Sequence, residues 1–237
     1  MRRSRSLSMF AGLVGAAIVA LSPAMAVVLW PATAAADATA EEAAKTAEVV
    51  QKVQAFYERT SSFKSPFTQE FTATLHNKKT SSKGTVTFAK PGKMAWEYSE
   101  PNGNRVVSDG TKLRVYEAAN KQMYEQVVDK SQYPAALSFL TGQGKLTDSF
   151  DFELFAGEKM QFPGGHVLVG TPKLPTPAYK KVLFYVDKAT SQVRRVLILD
   201  GQGNKNKFDF LSPKVNEAVP AALFQFTPPA GTNVIKP

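Results

Sequence analysis

Between residues 67 and 98 apolar and polar positions alternate with a period of two. Phe67, Gln69, Phe71, Ala73 and Leu75 fall on one side and Thr68, Glu70, Thr72 and Thr74 on the other, which predicts a strand with one dry and one wet face. After a wet end at 76–83 the chain returns as Gly84-Thr85-Val86-Thr87-Phe88, breaks at Lys90-Pro91-Gly92, and resumes as Met94-Ala95-Trp96-Glu97-Tyr98. The apolar content of this meander is too bulky for a loop and too alternating for a helix.

Further strands are predicted at 105–107, 112–117, 122–127, 150–155, 166–170, 179–187, 192–200 and 205–211. Turn formers separate them: Ser108-Asp109-Gly110, Asn120, and the short connections 187–191 and 200–204. Two segments, 182–186 and 196–199, are apolar on both faces. Either they lie in mid-sheet with a helix or tail on one side, or one row lines a ligand cavity. Before the meander, Ala43, Ala47, Val50, Val53 and Phe56 or Tyr57 recur at three and four residues, which predicts an amphipathic helix over 41–60. A second helix is predicted over 134–141, where Ser131 can cap, Pro134 suits the first turn, Leu137 and Leu140 form an apolar edge and Gly142 stops it. Successive antiparallel strands on a chain this short favour one domain built on a single strongly curved antiparallel sheet of about 11 strands.

The N-terminus changes the picture of where this domain works. A basic start, Arg2, Arg3 and Arg5, precedes an apolar run from Met9 to Leu21 and two small-residue tracts, the pattern of a cleaved secretory signal peptide. Cleavage after Ala26 or after Ala36 fits; the second leaves a polar end at Asp37, giving a signal at 1–36 and a domain at 37–237. The alternative is an uncleaved anchor, since Met9 to Trp30 is long enough to span a bilayer. In either case the rest of the chain lies outside the cytoplasm. There is no cysteine, so the fold is held by its core and carries no lipid-modified thiol. Of 29 basic side chains three lie before residue 37, so 26 face 20 acids in the remainder, about +6. That permits contact with anionic headgroups or an acidic partner. Nucleic acid does not fit an exported chain with its bases spread along strands.

Reactive chemistry is sparse. His76 and His166 are ninety residues apart with no compact metal spacing, and there is no GxSxG and no phosphate-cradling glycine loop. Asp109 and Asp187 are explained by turns. No enzyme activity, metal or cofactor is expected. Apolar bulk is abundant, with 16 Phe, 7 Tyr, 2 Trp and 6 Met, a set suited to irregular apolar ligands.

The succession Phe67-Thr68-Gln69, a glycine-led strand at 84–88, Lys90-Pro91, Trp96, Ser108-Asp109-Gly110 with Leu113 and Tyr116, and Phe226-Thr227-Pro228-Pro229-Ala230-Gly231 resembles the periplasmic outer-membrane lipoprotein carrier (LolA-like) family over about residues 50–237. The resemblance implies a mainly β fold with a helical lid: an incomplete open β-barrel closed by α-helices over a hydrophobic cavity. It implies a periplasmic chaperone that takes triacylated lipoproteins from an inner-membrane ABC-type release complex. The cargo then passes to an outer-membrane acceptor, either a receptor lipoprotein or the membrane itself. Such a carrier is expected to be a monomer. The rival is a module of the same fold for another lipid, or an envelope-stress sensor domain.

Combined with the apolar phases of the strands, the resemblance gives Phe67, Phe71, Leu75 and Phe88 as cavity-lining positions that bind acyl chains. Met94, Trp96, Leu113, Val115, Phe184 and Leu197 complete the set. Val50, Val53, Phe56, Leu137 and Leu140 are the expected lid. Characterised relatives hold the lid with the arginine of an Arg-Pro pair, and this chain has Lys90-Pro91. A lysine is a point donor without the guanidinium fork. Lys90 is therefore either a solvated turn residue or a latch donating to carbonyls at the end of the 134–141 helix.

Overall fold

The structure is a computed structural model that describes residues 32–128 and 144–236. It opens with helix α1 (Ala32–Glu58), which starts nine residues before the expected 41 and ends two before the expected 60. Six strands follow: β1 (Ser62–Ala73), β2 (Lys78–Ala89), β3 (Lys93–Glu100), β4 (Arg105–Asp109), β5 (Lys112–Glu117) and β6 (Gln122–Val127). A one-turn helix α2 (Leu146–Ser149) leads into β7 (Phe150–Ala156), β8 (Gly165–Pro172), β9 (Lys181–Asp187), β10 (Val193–Leu199) and β11 (Lys205–Phe210). The short strands β12 (Lys214–Val215) and β13 (Asn233–Ile235) come last. The predicted helix over 134–141, with Leu137 and Leu140, lies outside the described residues.

All thirteen strands belong to one sheet, in the order β13-β6-β5-β4-β3-β2-β1-β11-β10-β9-β8-β7, with β12 pairing β1 off this path. Two meanders meet at β1. The strand pairs β2 along its full length, Ser62 opposite Ala89 through Ala73 opposite Lys78, and pairs β11 from Phe67 opposite Phe210 to Thr72 opposite Lys205. The turns are closed by short acidic side chains. Asp187 Oδ1 accepts from the backbone N–H groups of Ala189 and Thr190, and Asp200 Oδ1 from those of Gln202 and Asn204.

This architecture corrects the expected fold class. The expectation was a strongly curved, wholly antiparallel sheet of about 11 strands forming an incomplete barrel closed by helices over a cavity. The sheet instead is open, running from one edge at β13 to another at β7, and it is mixed: β13 pairs β6 in parallel, Asn233 opposite Gln122 through Ile235 opposite Tyr124. The physical reason is the C-terminal tail. It returns to the outer edge of the first meander and adds a strand there, where a barrel would need β6 to meet β7.

Each face of the sheet has its own core. On one face Phe63, Phe67, Val86, Phe88, Met94 and Trp96 pack with Phe184, Val196, Phe208 and Phe210, joined by Val50, Val53 and Tyr57 of α1. On the other, Val167, Val169, Leu183 and Tyr185 pack under Met160 and Phe162 of the β7–β8 connection, with Leu197 and Leu199 alongside. The doubly apolar β9 is explained by this arrangement: Val182, Phe184 and Val186 serve the first core, Leu183 and Tyr185 the second. A Cβ on Gly165 would meet the Phe162 ring at 2.1 Å, so that cover needs glycine beneath it.

Candidate functional site

The first face is the candidate site, and its centre is aromatic. Phe67 meets Trp96 edge-on with ring centroids 4.9 Å apart, and Trp96 meets Phe208 at 5.2 Å. Phe88 and Phe210 extend the cluster at 5.9 and 6.4 Å from the same indole. The indole Nε1 of Trp96 is buried without a hydrogen-bond partner among the described residues.

Helix α1 lies over this face. Val50 and Val53 are buried, Phe56 is half-buried, and all three pack on the core. Polar contacts pin the helix at its C-terminal half. The Tyr57 hydroxyl accepts from the backbone N–H of Val193 at 3.1 Å, and burial pushes its pKa well above the usual phenol value. Gln54 Oε1 accepts from the backbone N–H of Leu146 at the start of α2. Lys90, in the β2–β3 turn, donates from Nζ to the carbonyls of Tyr57 and, at 2.8 Å, Glu58. These carbonyls lie at the negative end of the helix, where a cation is favoured; that of Tyr57 also accepts from the Thr60 N–H at 3.2 Å. Burial pulls the Lys90 pKa down. The expected partner of Lys90 was the 134–141 helix, which lies outside the described residues; among the described ones it closes the end of α1 instead.

Between the middle of α1 and the sheet edge runs an open groove of about 310 Å³. Ala43, Ala47 and Val50 form one wall, Phe150 and Phe152 the other, and Asp151 and Lys173 stand among its polar lining. The Phe150 and Phe152 rings are tilted against each other with centroids 5.8 Å apart, and both meet Phe184, so the groove opens onto the same apolar core.

The positions named from sequence distribute unevenly. Phe67, Phe88, Met94, Trp96, Leu113 and Phe184 are all buried in the first core, with Val115 packed against it. Phe71 is 37% and Leu75 86% exposed, because β1 ends at Ala73 and Leu75 sits in a one-turn 3₁₀ segment, Thr74–His76. Leu197 belongs to the core of the opposite face. Sequence reasoning missed Phe208 and Phe210, which the alternation Lys207-Phe208-Asp209-Phe210 signals. It also missed Phe150 and Phe152, which alternate in the same way.

An apolar, aromatic face under a helix held by a few polar contacts is the kind of surface on which apolar cargo can be bound. Among the described residues no group of three or more His, Asp or Glu side chains could hold a metal ion, and no helix is long and apolar enough to cross a membrane. The model of the outer membrane lipoprotein carrier protein LolA matches residues 58–227, and the chain belongs to that family. It is a periplasmic carrier in lipoprotein transport. An outer-membrane lipoprotein carrier protein of Dechloromonas aromatica is 28% identical over 189 residues, covering 80% of this chain and 88% of the relative. One of Chromobacterium violaceum is 29% identical over 209 residues, covering 86% and 95%. In fold alone the chain is similar to an uncharacterized conserved protein from Thermus thermophilus, with a TM-score of 0.50 at 14% identity over 81% of this chain and 99% of that one.

Proposed function

We propose that the aromatic face beneath α1 binds the acyl chains of triacylated lipoproteins, which enter along the groove between α1 and β7. The supporting observation is the continuity of Phe150 and Phe152 in the groove with Phe184 in the core. A chain of about 15 methylenes leaving water gains on the order of 10 kcal/mol, at roughly 0.8 kcal/mol per methylene, before ordering costs. Several such chains make release into water negligible. The carrier must therefore receive cargo directly from a donor, the inner-membrane ABC-type release complex, and hand it directly to an outer-membrane acceptor.

Loading requires α1 to lift. Lys90 then acts as a latch on the helix terminus, and residues 1–36 act as a signal removed on export. The test is to purify the protein from its own periplasm as a monomer and identify co-eluting molecules by mass spectrometry. Triacylated peptides are the expected result. Free phospholipid alone would overturn the reading in favour of a module for another lipid.

A further inference from the structure

We propose a membrane-docking edge, separate from the acyl-binding face, at the end of the sheet formed by three adjacent loop tips: β1–β2, β10–β11 and β8–β9. Hydrogen bonds tie the tips together. Thr74 donates from its backbone N–H to Asn204 Oδ1 at 3.0 Å and from Oγ1 to the carbonyl of Gly203 at 2.6 Å, joining the first tip to the second. The Lys180 N–H donates to the carbonyl of Leu199 at 2.7 Å, joining the second to the third. The first and third tips are three strand steps apart, roughly 15 Å at the usual spacing.

Each outer tip presents a leucine to solvent. Leu75 is 86% and Leu174 81% exposed, the two most exposed large apolar side chains among the described residues. A single exposed leucine is ordinary, but here two stand on the outer tips at one end of the sheet, and neither belongs to a core cluster. Phe71, 37% exposed on the strand leading to the first tip, adds to it.

Charge identifies the occupant. Lys78, Lys180, Lys181 and Lys205 stand at this end with no carboxylate within ion-pair distance among the described residues. The acids nearby are already engaged or outnumbered. Glu70 sits between Lys79 and Lys207, Asp151 lies 3.8 Å from Lys173, and Asp200 is spent on its own turn. Asp148 in α2 is the remaining one. Exposed leucines on tips at the same end of the sheet as these unpaired ammonium groups match an anionic phospholipid surface. The lysines approach the headgroups and the leucines enter the acyl boundary. The proposal does not rest on acyl-chain binding by the aromatic face.

The protein purified from the periplasm is mixed with vesicles of phosphatidylglycerol and phosphatidylethanolamine, or of phosphatidylcholine alone, and the bound fraction is read by flotation. Binding is expected on the anionic vesicles, at least tenfold stronger than on the neutral ones, and weakened by salt. Leu75→Ser combined with Leu174→Ser is expected to lower it at least tenfold, and Lys78→Gln with Lys205→Gln to flatten the salt dependence. Circular dichroism and co-purified acyl cargo, unchanged in these variants, separate loss of docking from loss of fold or of carrying. Equal anionic-vesicle binding by the natural and double-serine proteins overturns the proposal. So does absence of vesicle binding by the natural protein, which would assign the tips to an acidic protein surface.

Discussion

Lys90 donates to the backbone carbonyl of Glu58 at 2.8 Å, so a turn between two central strands closes the C-terminus of the helix that covers them. Replacing Lys90 with leucine removes the donor from this carbonyl and from that of Tyr57, and is expected to cost about 1 kcal/mol in urea unfolding. The functional effect should exceed the structural one. The variant should still accept lipoprotein but pass it to outer-membrane vesicles more slowly, because the closed state competes less well with the loaded one. Lys90→Arg should transfer at least as well as the natural protein. Equal transfer by the leucine variant would leave Lys90 a structural cap only.

Asp109 gives a prediction in pH. Burial alone would raise its pKa, but the N–H of Lys112, the hydroxyl and N–H of Thr111 and the Arg114 guanidinium hold the carboxylate well below its usual range. A group whose folded pKa is depressed contributes stability that is present above its unfolded pKa, about 3.9, and lost as pH falls through the folded one. Asp109→Asn is therefore expected to cost about 1–2 kcal/mol at pH 7, through loss of the Arg114 pair at 3.1 Å and weaker turn bonds. The gap to the natural protein should stay constant down to about pH 5 and shrink below it. Urea titrations across that range check it, and a gap independent of pH would remove the ionic account.

Gly84 tests the β2–β3 seam. The register shifts between Lys83 and Gly84, and a Cβ built on Gly84 would stand 2.1 Å from the carbonyl oxygen of Glu97. No rotamer relieves a clash between Cβ and backbone, so β3 must move. Gly84→Ala is expected to destabilise by about 2–3 kcal/mol with little change in the urea m-value. A loss below about 0.5 kcal/mol would mean the seam can open at no cost.

The strands were legible in the sequence where one face is dry. Phe67, Phe88 and Trp96 reach the core because their neighbours Thr68, Thr87 and Glu97 mark the opposite phase. Leu75 was not legible. It continues the alternation of Phe71 and Ala73, yet Asn77 at φ 45° turns the chain just after it, in a hairpin that projects past β3. Leu197 lies in a strand apolar on both sides, and alternation cannot say which face is which until the β7–β8 connection is seen to cover one of them. β13, three residues pairing in parallel with a strand more than a hundred positions away, has no local signature, and without it the sheet reads as wholly antiparallel. The family resemblance pointed to Lys90, while the helix terminus it meets depends on how α1 lies across the sheet.

Trp96 gives the most direct reading of where cargo lies. The chain has two tryptophans, Trp30 and Trp96, and only the second falls in the domain expected after export. Its ring sits among Phe67, Phe88, Phe208 and Phe210 with its Nε1 unpartnered among the described residues, so its emission should be blue-shifted and insensitive to aqueous quenchers such as iodide. An acyl chain reaching this face must come into van der Waals contact with the indole or with the phenyl rings around it. Loading the periplasmic protein with a triacylated lipopeptide carrying bromine along its chains should therefore quench Trp96 strongly, and the unbrominated lipopeptide should not. A Phe184→Ala variant, which loosens the passage between the groove and the aromatic centre, should change the rate of quenching more than its final extent. Trp30→Phe serves as the background wherever the N-terminal segment is retained. Tight binding of the brominated lipopeptide with Trp96 emission unchanged would place the chains outside the aromatic face and overturn the proposed site.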